Sequence, residues 1–235
     1  ELSTYQINKK TKYLVNRVFY NCTRLTSIEI PNSVTSIGES AFSSCELLES
    51  VVIPNSVTSI GKYAFCGCNS LESVVLPSNL TSIGDSAFGY CKKLTSINIP
   101  DTVTFIGKSV FDSCVSLMSV SIPPKITNIP VSAFEDCEQL ESIVIPDGVN
   151  EIKQYAFYDC TGLTTITIPN SVNNIGYKAF DNTTWYNNQA DGVVYAGKVL
   201  YKYKGSMPKN TNIQIKDGTQ SIAAKAFYGC TGELI

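Results

Sequence analysis

Apolar side chains recur along this chain in a fixed order with a period of 23 residues. The stretch LESVVIPNSVTSIGKYAFCGC, from Leu48 to Cys68, shows one complete unit. Phe19, Phe42, Phe65, Phe88, Phe111, Phe134, Phe157 and Phe180 mark eight successive periods. Self-similarity at this interval is the sequence signature of a solenoid, in which each repeat buries its face only against its neighbours. Within a unit, Leu25 is followed by Ile28 and Ile30, and the equivalents Leu48, Val51 and Ile53 keep the same spacing. Residues two apart share one face of a strand, so a short strand is expected at Ser27 to Ile30 and in each copy. A proline ends it every time, from Pro31 through Pro169, because proline cannot donate to a strand ladder. Val34 and Ile37 then point inward from a second extended segment, and Gly38 marks the next corner, although Pro130 and Lys153 replace that glycine in two units. The remaining Ala41-Phe42-Ser43-Ser44-Cys45 is too short for a full helix and suits a single helical or 3₁₀ turn.

The expected architecture is therefore a β-rich solenoid of 23-residue coils filling residues 1–235 as a single unit. About nine coils end near Cys22, Cys45, Cys68, Cys91, Cys114, Cys137, Cys160, Thr183 and Cys230. Residues Tyr5 to Phe19 are a worn first copy, with Asn8 in the proline position, as befits a repeat with one neighbour. The frame breaks at 184–209, where two strands around Ala196-Gly197 read as an inserted hairpin. After Cys230 the segment Thr231 to Ile235 offers no capping element, and Glu1 opens the chain without a signal-peptide pattern. The missing cap supports a passive spacer within a longer polypeptide, and any signal or anchor is expected outside this sequence.

Composition removes several function classes. The net charge of −2 and the absence of any lysine or arginine block argue against a nucleic-acid partner. The first coil is basic at Lys9, Lys10, Lys12, Arg17 and Arg24, and the sixth is acidic around Glu135, Asp136 and Glu138, which reads most simply as solvated surface. No apolar run reaches the roughly 20 residues that cross a bilayer. There is no histidine, no phosphate-binding glycine loop and no repeated carboxylate pair, so no catalytic site, cofactor or metal is expected. Eight of the nine cysteines stand three residues after a repeat phenylalanine. One thiol per coil forms a line rather than a converging set, which points to buried small hydrophobes and not to zinc or systematic disulfides. Cys66 departs from the line and is expected to face solvent.

The unit LxxIxIPxxVxxIgxxAFxxC, seen as LTSIEIPNSVTSIGESAFSSC and six near copies, resembles the BspA-like leucine-rich repeat. That resemblance covers essentially the whole chain. It implies a right-handed leucine-rich repeat superhelix in a secreted or surface-exposed bacterial protein, acting as an adhesin for host extracellular-matrix or other cell-surface proteins.

Two surfaces are candidates for binding. The outward row of the first strand reads Glu29, Val52, Val75, Asn98, Ser121, Val144 and Thr167, flanked by Ser27, Ser50, Ser73, Ser96, Ser119, Ser142 and Thr165. Solenoids commonly bind through such extended faces, and small side chains there would equally suit a tightly curved sheet. The hairpin collects Trp185, Tyr186, Tyr195, Tyr201 and Tyr203 near Lys198, Lys202 and Lys204. Those aromatics either form a contact patch or pack on the solenoid to keep it continuous. The reading is a non-enzymatic protein-binding module, with a passive spacer array or a glycan-binding module as the alternatives.

Overall fold

A computed structural model describes residues 3–230. The chain winds into a parallel-strand β-solenoid. Each coil up to Phe180 contributes a three-residue strand such as Ser27–Glu29 and a two-residue strand such as Ser36–Ile37. Strands pair in parallel with their equivalents one period away: Ser50, Val51 and Val52 lie opposite Ser73, Val74 and Val75. Tyr13–Leu14, Ser36–Ile37, Ser59–Ile60, Ser82–Ile83 and Phe105–Ile106 make one five-stranded sheet. The Thr231–Ile235 stretch, expected to lack a cap, lies outside the described residues.

The core is a set of ladders. From Phe19 to Phe180 successive phenylalanine rings stack at centroid separations of 5.1 Å at Phe42–Phe65 to 5.8 Å at Phe88–Phe111. The repeat cysteines line the same interior. Cys45, Cys68, Cys91, Cys114, Cys137 and Cys160 are buried, and each thiol donates to the phenylalanine carbonyl of the preceding coil, as Cys45 Sγ does to the Phe19 oxygen at 3.1 Å. The cysteine is thus a small apolar residue that also satisfies a buried acceptor. Burial pushes the Cys45 thiol up to about 12 and the others in the same direction. Cys66, expected at the surface, is half-buried, and its thiol is pushed up by burial and by the nearby Asp112. Because thiolate is the reactive form, a native thiol titration is expected to label at most the partly accessible Cys22, Cys66 and Cys230, and all nine cysteines only after unfolding. Rapid labelling of more than three in the native protein would contradict the ladder.

The turn around each phenylalanine differs from the expected single helical or 3₁₀ turn. Ser40 and Ser44 have φ of 53° and 62°, and left-handed residues recur at both positions along the stack. The alternation sends successive N–H groups in opposite directions. The N–H groups of Ala41, Ser43 and Cys45 close tight turns onto Gly38, Ser40 and Phe42, whereas those of Ser40, Phe42 and Ser44 donate to Lys62, Ala64 and Cys66 of the next coil at 2.7–2.8 Å. A 3₁₀ turn would keep all of them internal. The turns are therefore a third coil-to-coil ladder.

Gly61, Gly84 and Gly107 stand where coils approach most closely: a Cβ on Gly107 would lie 2.3 Å from the backbone nitrogen of Asp85. Each of these glycines donates its N–H to the preceding coil, as Gly107 does to the Ile83 carbonyl at 2.8 Å. Pro130 occupies this position in the Phe134 coil and has no N–H to give. The short-strand sheet ends there. Phe105–Ile106 pairs only with the coil before it, and Asn128–Ile129 only with the coil after it. The three-residue strand of the same coil, Ser119–Ser121, pairs backward with Ser96–Asn98, whereas the next pair is Ser142–Val144 with Thr165–Thr167. The three-residue strands are also interrupted between Ser73–Val75 and Ser96–Asn98, so the two walls of the solenoid break at different steps and the Phe134 coil is joined backward on one wall and forward on the other.

Candidate functional site

On the strand face the middle residue of each three-residue strand points inward and its neighbours point out. Ile28, Val51, Val74, Ile97 and Ile143 are buried, and Glu29, Val52, Val75, Asn98, Ser121, Val144 and Thr167 all lie exposed on one side. Val52, Val75 and Val144 are 63%, 57% and 65% exposed. Among the described residues the hydroxyls of Ser27, Ser50, Ser73, Ser96, Ser119 and Ser142 make no hydrogen bond, whereas hydroxyls at the corners are committed to neighbouring coils. Ser33 Oγ donates to the Thr11 carbonyl at 2.6 Å and Thr102 Oγ1 to the Leu80 carbonyl at 2.7 Å. Tyr5, Gln6, Ser27, Glu29, Ser50 and Val52 line an open groove of about 620 Å³ over the first coils of this face.

The hairpin aromatics are placed differently from an exposed patch. Thr184–Asn187 forms one helical turn capped by Thr183, whose hydroxyl accepts from the Tyr186 N–H at 3.0 Å. Trp185 lies edge-on to Phe180 at 5.3 Å and is partly buried. Tyr186 and Tyr201 are only 8% and 2% exposed, so neither is free to act as a surface contact. Strands Gly192–Ala196 and Val199–Lys204 pair antiparallel, and Val199–Leu200 then pairs in parallel with Ser221–Ile222 of the last coil. The second hairpin strand thereby takes a place in the stack. Tyr203 falls one period after Phe180, and its N–H donates to the Ala226 carbonyl as the phenylalanines do elsewhere. Tyr195 and Tyr203 are half-buried, with the Tyr195 hydroxyl accepting from the Lys216 N–H at 2.9 Å.

Sequence reasoning missed a different aromatic group on the turn wall. Lys178 Nζ lies 5.4 Å from the Tyr158 ring and 5.5 Å from that of Tyr177, and Lys225 Nζ lies 4.3 Å from Tyr177 and 5.3 Å from Tyr228. Rings and ammonium groups alternate from the Phe157 coil to the last, tying it across the hairpin. The signal was there in tyrosines at similar positions of separate units, but their meeting depends on the hairpin's length. The acidic residues of the Phe134 coil are also less solvated than expected: burial, then the neighbouring carboxylates Asp159 and Asp112, push the Asp136 carboxyl above its ordinary range. Among the described residues no group of three or more His, Cys, Asp or Glu side chains converges as a metal site, and no helix is long and apolar enough to cross a membrane.

Parallel strands, one 23-residue coil per repeat and a stacked phenylalanine core define a leucine-rich repeat solenoid. The chain belongs to the family described as BspA type leucine rich repeat region, whose model matches six copies over residues 1–117, 59–187 and 200–234. It is similar to a leucine-rich repeat protein from Bacteroides ovatus, with 31% identity and a TM-score of 0.82 over 97% of this chain and 61% of that one. A leucine rich cell surface protein from Faecalibacterium prausnitzii is also 31% identical, with a TM-score of 0.53 over 79% of this chain and 58% of that one. The leucine-rich repeat protein of T. pallidum shares 25% identity at a TM-score of 0.54, covering 74% of this chain and 72% of that one. The chain thus spans about three-fifths of the first two relatives' length. No curated protein sequence matches it.

Proposed function

We propose that this segment is a non-catalytic protein-binding module of a secreted or cell-surface bacterial protein, adhesin-like, which docks a host matrix or cell-surface protein on its strand face. The observation that carries this reading is the exposure of Val52, Val75 and Val144 on a sheet whose inward residues are locked in the core. Apolar side chains on a rigid base lose little entropy when covered, and the free serine hydroxyls beside them offer hydrogen bonds to a partner. The Faecalibacterium relative is a cell surface protein, which supports the location.

The test is binding of the segment to immobilised matrix proteins, beside a Val52→Lys/Val75→Lys double variant. Both positions are exposed, so stability should change by less than about 0.5 kcal/mol per site. Affinity is expected to fall by about tenfold or more, since charge placed in an interface core is disfavoured. Undiminished binding would move the site off this face. Failure of the parent to bind any matrix protein would favour the spacer reading.

A further inference from the structure

Beside Pro130 the short-strand ladder is interrupted, although the Ser109 N–H still donates to the Val131 carbonyl at 2.9 Å and Phe111 stacks on Phe134 at 5.6 Å, and four features meet in the gap. The first is a groove of about 320 Å³ lined by Phe105, Ile106, Lys108, Pro130, Val131 and Lys153 among others. The second is a pair of unclaimed backbone acceptors. At the neighbouring steps of the stack a threonine N–H donates to the threonine carbonyl one coil back, as Thr104 does to Thr81, and the corner glycine donates to the isoleucine carbonyl before it. Thr127 makes no such bond and Pro130 has no N–H, so among the described residues no donor from the Phe134 coil reaches the carbonyls of Thr104 and Ile106.

The third feature is Phe105 itself. In the six coils from Phe42 to Phe180 other than its own the equivalent residues are Ser36, Ser59, Ser82, Asn128, Glu151 and Asn174, all polar, and only the first coil carries another aromatic there, Tyr13; Phe105 is 55% exposed at the edge of the groove. An exposed large aromatic beside an open groove is the informative case. The fourth is charge. Lys108 and Lys153 line the opening, and neither ammonium pairs with a carboxylate among the described residues. The one carboxylate at the groove, Asp85, is held by Lys62 Nζ at 3.3 Å and by the Lys108 N–H at 3.1 Å.

We propose that this groove binds a short extended peptide segment that alternates apolar and acidic residues. Its backbone N–H groups would satisfy the Thr104 and Ile106 carbonyls, as a strand added to a sheet edge does. An apolar side chain would cover Phe105, and a carboxylate would reach Lys108 or Lys153. The site lies on the short-strand wall, away from the strand face proposed above, and does not depend on that proposal.

The experiment is fluorescence anisotropy with a labelled, acetylated peptide of alternating valine and glutamate, and a valine–lysine peptide as the charge control. Parent protein is expected to bind the glutamate peptide and not the lysine peptide. Phe105→Ser, which installs the side chain of the Ser82 position, should weaken binding on the order of tenfold. Pro130→Gly restores the corner donor, closes the opening and should abolish binding while the protein melts at or above the parent temperature. Absence of binding by the parent, equal binding of the lysine peptide, or undiminished binding by a folded Pro130→Gly protein would each overturn the proposal. None of these outcomes is affected by the Val52→Lys/Val75→Lys variant, so failure of one site is separable from failure of the other.

Discussion

Phe88→Ala is expected to cost about 3–5 kcal/mol of stability, the range for deleting a buried phenylalanine side chain. Phe88 is fully buried and its ring stacks on both sides, 5.4 Å from Phe65 and 5.8 Å from Phe111. Neither neighbour can move freely to fill the void, because the short-strand and turn ladders join the Phe88 coil to the coils on both sides. At this chain length the loss corresponds to a fall in melting temperature of roughly 6–20 °C. A solenoid is nearly one-dimensional, so a defect in the middle also weakens coupling between the coils on either side. Unfolding followed by circular dichroism should therefore broaden as well as shift. Phe19→Ala is the control. Phe19 stacks on Phe42 at 5.2 Å but meets only the edge of Tyr5 on its other side. Its removal should cost clearly less. Equal shifts for the two variants would mean that the rings do not act as a ladder.

The rows of Leu25, Ile28, Val34, Ile37 and Phe42 were legible because burial repeats with the period and only apolar, close-packing side chains satisfy it. The strand-face row was legible for the complementary reason, since alternation in a strand assigns Glu29 and Val52 outward once Ile28 and Val51 are inward. The left-handed turns were not legible. Ser40, Tyr63, Ser86 and Lys178 all adopt φ between 50° and 56°, and these residue types share no turn preference that would announce it. What selects the conformation is the next coil's carbonyl, which lies 22 residues away for Ser40. The opening beside Pro130 was half legible. The missing glycine was plain in the sequence, but the loss of pairing follows from which coil its N–H would have served.

The hairpin is where the period misleads, and Tyr201 is where the error can be measured. In the regular stack each phenylalanine N–H donates to the carbonyl of the residue before the next phenylalanine, alanine in every case but Val110, as Phe157 does to Ala179 at 2.9 Å. After Phe180 no such turn follows. The Tyr201 hydroxyl substitutes for it, accepting from the Phe180 N–H at 3.0 Å and donating to Asp181 Oδ1 at 2.7 Å. Burial, then the Asp181 carboxylate, pushes this phenol well above its ordinary range, which keeps the donating proton in place. Tyr201→Phe strands a buried N–H and removes one of two donors from a buried carboxylate, leaving Lys202 alone on Asp181. Each unmade bond costs about 1–3 kcal/mol. Tyr201→Ala also deletes a ring packed at 5.4 Å on Phe180 and 5.9 Å from Tyr186, which raises the loss to about 3–5 kcal/mol or more. Trp185 is the only tryptophan and rests against the same Phe180 ring, so its emission reports this corner alone. Both variants should red-shift that emission at denaturant concentrations where circular dichroism still shows the Phe42 to Phe157 coils intact, the alanine variant earlier. A Tyr201→Phe protein whose tryptophan transition coincides with the parent's would mean that the hydroxyl does not hold the hairpin, and that the fold there rests on ring packing alone.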